Sequence, residues 1–522
     1  MHMPITIKRQ PTAGMPCAAM LLAAICFSLA WPAFALAAGG KGKFSLTVVD
    51  AETKDPLPCR IHLRSPNGKP RRVGKWPYWH DHFTFDGTLE MQLPYGTYTF
   101  DLEHGPEYHR RTGHFVLEKF ADDSQVAELP RYVDMASEGW WSGDLCVARP
   151  QREMELLMRA EDLHVAQLVT WTTKRSEWAK AAPPDPPRLE LADGRVCQLL
   201  AGRDERNGGA VLLLDLDRPL ELPGGKEASL LPLLSEIRRS PRAWVDVERP
   251  YAWELPVWLA LGLVDSIELA NSHQCRGEGA NDEAGGKPRD PRLDRGSWGN
   301  GQWSQQIYYH VLGAGLRIPP SAGSGSGVAP SPVGYNRVYV QCGSEFSYDA
   351  WRKNLLAGRV MVTNGPMLRP IVNGRHYPGH VFAAPAEEGV SVEIALNLAT
   401  RDTVDYLEVI RDGGVEHTVR LADWAKTGKL PLLNFQRSGW FLVRAVTDVD
   451  KTYRFASTGP YYVEIGSRPR ISRGSVQFFV DWMDELLARP APKGTTVSPH
   501  VHQQYQSARQ FWLDRLEQAN VD

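Results

Sequence analysis

The sequence has no excess of either charge: 59 lysines and arginines stand against 61 aspartates and glutamates in 522 residues, a formal net charge of -2. It also has no basic stripe interleaved with aromatics, so nucleic acid is not an expected partner. Cysteine is scarce. Of the seven, Cys17 and Cys26 fall in an apolar N-terminal run, and Cys59, Cys146, Cys197, Cys275 and Cys342 are far apart, odd in number and never spaced Cys-x-x-Cys. This argues against a zinc knot and a disulfide scaffold and reads the thiols as small buried hydrophobes. No internal repeat of fixed period is visible.

What is present begins with a leader. Lys8 and Arg9 precede "MLLAAICFSLAWPAFALA", which ends in Ala33-Phe34-Ala35 and Ala35-Leu36-Ala37. This pattern predicts a Sec-type signal peptide over residues 1–37, cut near Ala35 or Ala37. Pro32 and the Ala-x-Ala sites favour cleavage over anchoring, and Ile25 before Cys26 disfavours lipidation. A secreted or periplasmic product with no stable membrane span is expected.

The length exceeds one domain, and the patterning divides it. Over 43–132, short runs such as "KFSLTVVD", "GTLEMQLP" and "GTYTFDLEHG" alternate apolar and polar residues between Gly, Pro and Asn-Gly breaks, predicting a β-sandwich. Over 135–370, helix-period stretches such as "REMELLMRAEDLHVAQLV" and "ELPVWLALG" alternate with the apolar runs "AVLLLDL", "AWVDVE", "VDSIELAN", "NRVYVQCG" and "RVMVTNG". That rhythm predicts an α/β domain with parallel strands and a site at their C-terminal ends. Residues 275–306 read as a long polar loop of the kind used as a lid. β alternation returns over 371–466 as a second sandwich. Residues 467–522 read as two helices, "GSVQFFVDWMDELLAR" and "HQQYQSARQFWLDRLEQA", joined by a Pro-rich linker.

Two resemblances sharpen this outline. The text from "VVDAETKDPLPCRIHLRSPNGKP" to "LPYGTYTFDLEHGPEYHRRTGHFVL" resembles carboxypeptidase-regulatory-like, transthyretin-like domains, which implies a small non-catalytic sandwich. The ordered phrases "GWWSGDLCVARPQREMELLMRAEDLHVA", "VDSIELANSH", "GLRIPPSAGSGSGVAPSPVGYNRVYV" and "GRVMVTNGPMLRP" resemble PHP-type phosphoesterases, and more closely the CehA/McbA-like metallohydrolases. That implies a PHP-like distorted α/β barrel flanked by the two sandwiches. It also implies a site that would use divalent zinc, manganese or iron to activate water.

The ligands that this family places at its strand ends are replaced here. Cys146 and Ala148 stand for a His-x-His pair, with Asp144 retained. Thr170-Trp171-Thr172 stands for Thr-Asp-His, Gly209 and Ala210 lie near another expected His, Glu248-Arg249-Pro250 replaces a His-Pro pair, and Gly325 and Gly327 replace Asp and His. With so few donors no metal cofactor is expected. The expected protein is a hydrolase-like frame that binds a small polar ligand, a glycan or envelope component, or a partner protein. An active hydrolase of the ester, carbamate or phosphoester class with a relocated site is the alternative, and a structural envelope role is a second. Oligomeric state is left open.

The candidate catalytic residues, should the chain be active, are Asp144, Glu248 and His273, a carboxylate pair and a histidine for metal-free acid/base work. The candidate ligand-binding residues are Asp204, Glu205, Glu268, Asn271, Ser324, Ser326 and Trp171. The glycine-rich "SAGSGSG" could offer N–H groups to an anion, and Trp140, Trp141, Trp171, Trp244, Trp253 and Trp258 could stack on sugars or fill the core. Salt bridges to Arg149, Arg203, Arg206 and Arg249 are the bland reading of the carboxylates. His164 and His310 read as helical packing histidines. His80-Asp81-His82 has a metal-like spacing, but no third or fourth ligand stands nearby in the sequence.

Overall fold

The computed structural model describes residues 40–222 and 226–522; the expected signal peptide lies outside them. The first module contains β1 (Lys41–Asp50), β2 (Cys59–Arg64), β3 (Tyr78–Trp79), β4 (His82–Phe85), β5 (Thr88–Pro94), β6 (Gly96–Glu103), β7 (Arg111–Leu117) and β8 (Asp122–Leu129). They form a three-stranded sheet, β5-β1-β8, facing a five-stranded sheet, β3-β4-β2-β6-β7. Alternation sets the inner faces: β5 buries Leu89, Met91 and Leu93 and exposes the residues between them. Their partners across the core include Leu46, Ile61, Phe83 and Phe100. Burying one such side chain contributes about 1.5–3 kcal/mol, and the expected sandwich is observed.

The middle of the chain builds a mixed sheet. Its strands are β9 (Trp140–Val147), β10 (Val165–Thr172), β11 (Arg175–Ser176), β12 (Arg188–Glu190), β13 (Val196–Asp204), β14 (Val211–Leu214), β15 (Trp244–Val247), β16 (Ser266–Ala270), β17 (Pro320–Ala322), β18 (Arg337–Gln341) and β19 (Val360–Thr363). The pairs β9–β10, β10–β13, β15–β16 and β16–β17 are parallel. β14 runs antiparallel to both β13 and β15, and β18 to both β9 and β19. The expected parallel strands are present, with antiparallel ones set among them. Each apolar run is a strand, and between β13 and β14 the link is too short for a crossover helix, so β14 must return antiparallel. That link is the 3-10 turn Arg206–Gly208. A bridge from Val147 to Ser326 brings the loop after β17 back to β9.

Helices α1 (Met154–Ala160), α2 (Leu231–Ile237), α3 (Leu255–Ala260), α4 (Ser297–Gly313) and α5 (Tyr348–Leu356) lie along this sheet. α1 is shorter than its periodicity predicts. Asp162 turns the chain at φ 48°, and the β-branched residues that follow continue as β10. His164 consequently sits in the link between α1 and β10, not on a helix, whereas His310 is helical as expected. The last ten residues of the expected 275–306 loop are also corrected, because α4 begins at Ser297.

Beyond β19 a second β-rich module forms around Leu407, Phe441, Tyr461 and Val463. Its strand Phe455–Thr458 pairs with β19, so the sheets run on without a break. The helices Arg473–Ala488 and Pro499–Glu517 are capped by Ser472 and Ser498, whose hydroxyls accept from Ser475 N and Val501 N. They pack through Phe479, Trp482 and Trp512. The second stacks against α3, with Trp512 donating to Pro256 O at 2.9 Å. Among the described residues no helix is long and apolar enough to cross a membrane.

Candidate functional site

Strand alternation gathers a set of acids inside the mixed sheet. Asp144 and Cys146 share one face of β9, Asp246 and Glu248 share the line of β15, and Glu268 comes from β16. All five are fully buried. Gly323, just past β17, sits so close that a Cβ there would lie 2.3 Å from Glu268 Oε1 and 2.7 Å from Cys146 Cβ. The acids are thus packed into a closed interior instead of an open mouth.

One cation makes the direct hydrogen bonds to this interior. Arg203, at the end of β13, grips Glu248 at two points, Nε to Oε2 at 2.6 Å and Nη2 to Oε1 at 2.9 Å. Ser272 Oγ donates to the same carboxylate at 2.5 Å. Burial alone would raise the Glu248 pKa, but the Arg203 and Arg249 charges and these hydrogen bonds override it and hold the group at about 2. The bland salt-bridge reading holds for Glu248.

Asp144 is held differently. It accepts from the backbone N–H groups of Cys146 at 3.1 Å, Ser324 at 2.8 Å and Gly334 at 2.7 Å. The N–H group of Ser324 in the glycine-rich loop thus serves the protein's own carboxylate. Burial nevertheless lifts the Asp144 pKa to about 6. Asp246, with Ser266 and Ser321 donating to one oxygen, rises to about 7 for the same reason. Glu268 has no hydrogen-bond partner at either oxygen, and burial, with Asp246, Glu248 and Asp144 nearby, pushes it well above the carboxylate range. Both causes favour its protonated form.

These residues do not fit the divalent ions that the resemblance implies. A persistent site needs three or four donors converging on one point. Glu248 is committed to Arg203 and Asp144 to three N–H groups. Burial, and then Glu248, push the Cys146 thiol well above its usual pKa, which disfavours the thiolate form. Among the described residues, only His62, Asp81 and His82 bring three ligand atoms within 4.8 Å of one another.

That cluster lies in the first sandwich, and its third member was invisible to local spacing. Burial depresses both imidazoles, His82 to about 3. Arg60 Nε donates to His62 Nε2 at 3.1 Å, so the neutral ring carries its proton on Nδ1, which lies 3.1 Å from Asp81 Oδ2. His82 Nδ1 lies 3.1 Å from Asp81 Oδ1. Arg60 occupies the His62 Nε2 lone pair and Asp81 engages His82 Nδ1, while His62 Nδ1 makes no hydrogen bond. The cluster is a carboxylate clamped between two histidines.

The other candidates separate. Asp204 is chelated by Arg206, with Nη2 at 2.7 Å. Glu205 meets Arg203 at 2.8 Å and Arg249 at 3.1 Å. Arg149 instead pairs with Glu153 at 2.8 Å. His273 is buried beside Tyr251, Nδ1 to Oη at 2.9 Å, and burial with Arg249 lowers its pKa to about 4. Asn271 Oδ1 caps His273 N, Ser324 Oγ accepts from Ser326 N, and Ser326 O accepts from Ala148 N. Trp171 is 2 % exposed. Trp140, Trp244, Trp253 and Trp258 are also buried and only Trp141 is partly accessible, so core packing accounts for five of the six.

Open space lies next door. A cleft of about 930 Å³ at the C-terminal ends of β9, β10 and β13 is lined by Arg149, Arg152, Arg175 and Arg203, with Glu155 and Glu177 opposite in charge. None of the ten candidate residues lines it. Arg203 joins the two regions, since it faces Glu248 inward and the cleft outward. The sequence signal that could have found the cleft is the run of arginines at strand ends, set aside as counter-ions.

No protein-family model and no curated protein matches the chain. Among solved structures, the Bacillus anthracis TIE protein is similar at 20 % identity over 21 % of this chain and 19 % of that one, with a TM-score of 0.15. The fibronectin(III)-like modules of Clostridium thermocellum CbhA are similar at 14 % identity over 19 % of this chain and 98 % of that one, TM-score 0.13. Parabacteroides merdae beta-glucuronidase is similar at 10 % identity over 79 % of this chain and 60 % of that one, TM-score 0.17. At such scores none of these likenesses assigns a fold or an activity to this chain.

Proposed function

We propose that this chain is an exported protein on a PHP-like, CehA/McbA-type frame in which the Arg203–Glu248 pair stands where the family's metal would be. It binds a polar ligand bearing acidic groups, a glycan or envelope component, and does not hydrolyse it. The observation that carries this reading is Arg203 itself. Its guanidinium grips the interior carboxylate Glu248 at two points and at the same time lines a cleft with three more arginines. The acids that could run metal-free hydrolysis support it from the other side. Asp144 and Glu248 are fully buried and committed to N–H donors and to Arg203, whereas a general acid or base must reach its substrate.

The test has two arms. Purified protein is screened for turnover of phosphoesters, carboxyl esters, carbamates and glycosides with and without added divalent metals, and no turnover is expected. Binding of acidic and neutral oligosaccharides is then compared. Acidic ones should bind, and Arg152→Glu with Arg175→Glu should weaken them at least about 10-fold, near 1.4 kcal/mol. Turnover abolished by Glu248→Gln would make the protein a hydrolase and end the binding-only reading.

A further inference from the structure

A second cavity, of about 530 Å³, opens where the three modules meet, and it shares no lining residue with the arginine cleft. The first sandwich contributes Arg60, Asp101, Glu103 and Arg110. The middle of the chain contributes Glu161, Arg276, Tyr335 and Arg337, and the last β module contributes Arg401, Asp402 and Arg454. Six arginines therefore face four carboxylates.

The surplus positive charge is local and poorly matched. Glu103 alone is shared by three guanidiniums, Arg60 at 2.9 Å, Arg276 at 2.8 Å and Arg401 at 3.6 Å. Arg337 is 2 % exposed and makes hydrogen bonds only to carbonyls, those of Gly334 at 2.6 Å and Glu161 at 3.1 Å. Its Nη1 is buried without a partner, and so is the Tyr335 hydroxyl on the same wall. Unpaired buried donors of this kind are costly and mark a missing acceptor. The crowding shows in Arg401, whose pKa is lowered by burial and further by the Arg454 and Arg60 charges, Glu103 and Tyr132 notwithstanding.

We infer that this cavity binds a small molecule through a doubly charged tetrahedral oxoanion, a phosphomonoester group, held by Arg337, Arg276, Arg401 and Tyr335. Two unmatched positive charges call for a dianion. Donors arriving from three modules surround it in three dimensions, which suits a tetrahedral group better than a planar carboxylate. The volume exceeds that of the oxoanion and leaves room for an attached sugar-sized body. Because the walls belong to three modules, occupancy ties them together, and the bound state is the more stable one by mass action.

Inorganic phosphate and inorganic sulfate are the probes, titrated into the whole mature chain by calorimetry and thermal melting, with sodium chloride at matched ionic strength as control. At least one should bind saturably and raise the melting temperature by several degrees beyond chloride. Arg276→Gln and Arg401→Gln should each weaken binding at least tenfold. Tyr335→Phe, which removes one hydroxyl and no charge, should weaken it several-fold and guards against a folding failure in the arginine variants. Arg152→Glu, in the separate cleft, should leave the response intact whether or not that cleft binds glycans. Phosphate and sulfate doing no more than chloride would reduce the cavity to a structural ion-pair network. A response lost in Arg152→Glu but kept in Arg276→Gln would overturn the assignment to this cavity.

Discussion

Arg203 and Glu248 meet in a two-point ion pair inside the mixed sheet, the carboxylate fully buried and the guanidinium 4 % exposed. Removing one partner leaves the other charge stranded in a low-dielectric interior. Arg203→Met should destabilise the fold by about 3–5 kcal/mol, while Arg203→Met with Glu248→Leu should lose far less than the two single changes added together. Urea unfolding of the four proteins measures this. Additive losses would mean the pair is solvated and the interior is open to water.

Asp246 gives a pH signature. Its unfolded pKa is near 3.8 and burial raises the folded value to about 7, so between these values the native state holds a proton that the unfolded chain has released. Stability from this group is fully present below about pH 4 and drains away as pH rises through 7, by up to about 4 kcal/mol. Asp246→Asn cannot titrate. The stability of the wild type relative to this variant should therefore fall steadily from pH 4 to 7.5, and a pH-independent difference would show an ordinary carboxylate at 246.

Metal removal should change nothing in the mixed sheet. Dialysis against a chelator is expected to shift the melting temperature by less than about 1 °C, because Glu248 and Asp144 are already committed to protein donors and an ion would have little linkage energy to contribute. Elemental analysis should find no stoichiometric zinc, manganese or iron. One equivalent that disappears in Asp144→Ala or Cys146→Ala would show that these residues hold an ion after all.

Gly327 is the tightest point of the glycine-rich loop. It adopts φ 97°, and a Cβ there would lie 2.1 Å from Ala148 O. Gly327→Ala should lower stability by about 1–3 kcal/mol through clash and strain together. Gly68→Ala is the comparison: the same left-handed region at φ 78°, with nothing within 4 Å of its Cβ, so strain acts alone and the loss should be smaller.

The existence of the elements was legible because burial imposes period. "AVLLLDL", "AWVDVE" and "VDSIELAN" are β14, β15 and β16, and the first sandwich and the two terminal helices fall close to the segments expected for them. Strand direction was not legible, since β13, β14 and β15 look alike in text and differ only in how their links turn. The arginine partners of Glu248, Asp204 and Glu205 followed from charge alone. The third member of the His62-Asp81-His82 cluster did not, because β2 reaches β4 only through sheet pairing. The cavity between the three modules escaped for the same reason: its arginines, from Arg60 to Arg454, come from segments hundreds of residues apart, and a sequence shows proximity only along its own line.

The grip of Gly334 N–H on Asp144 spans 190 residues, and β9 finds its antiparallel neighbour only in β18. During synthesis the first sandwich can close as soon as β8 leaves the ribosome, since all of its strand pairings lie within 41–129. β9 cannot. It emerges with one edge unpaired and a carboxylate without its N–H partners, and stays so until residue 340 is translated. Such an edge is open to adventitious pairing, so the nascent chain is most vulnerable to aggregation during the second third of its translation, and truncations ending before β18 should be recovered as insoluble protein with a folded N-terminal sandwich.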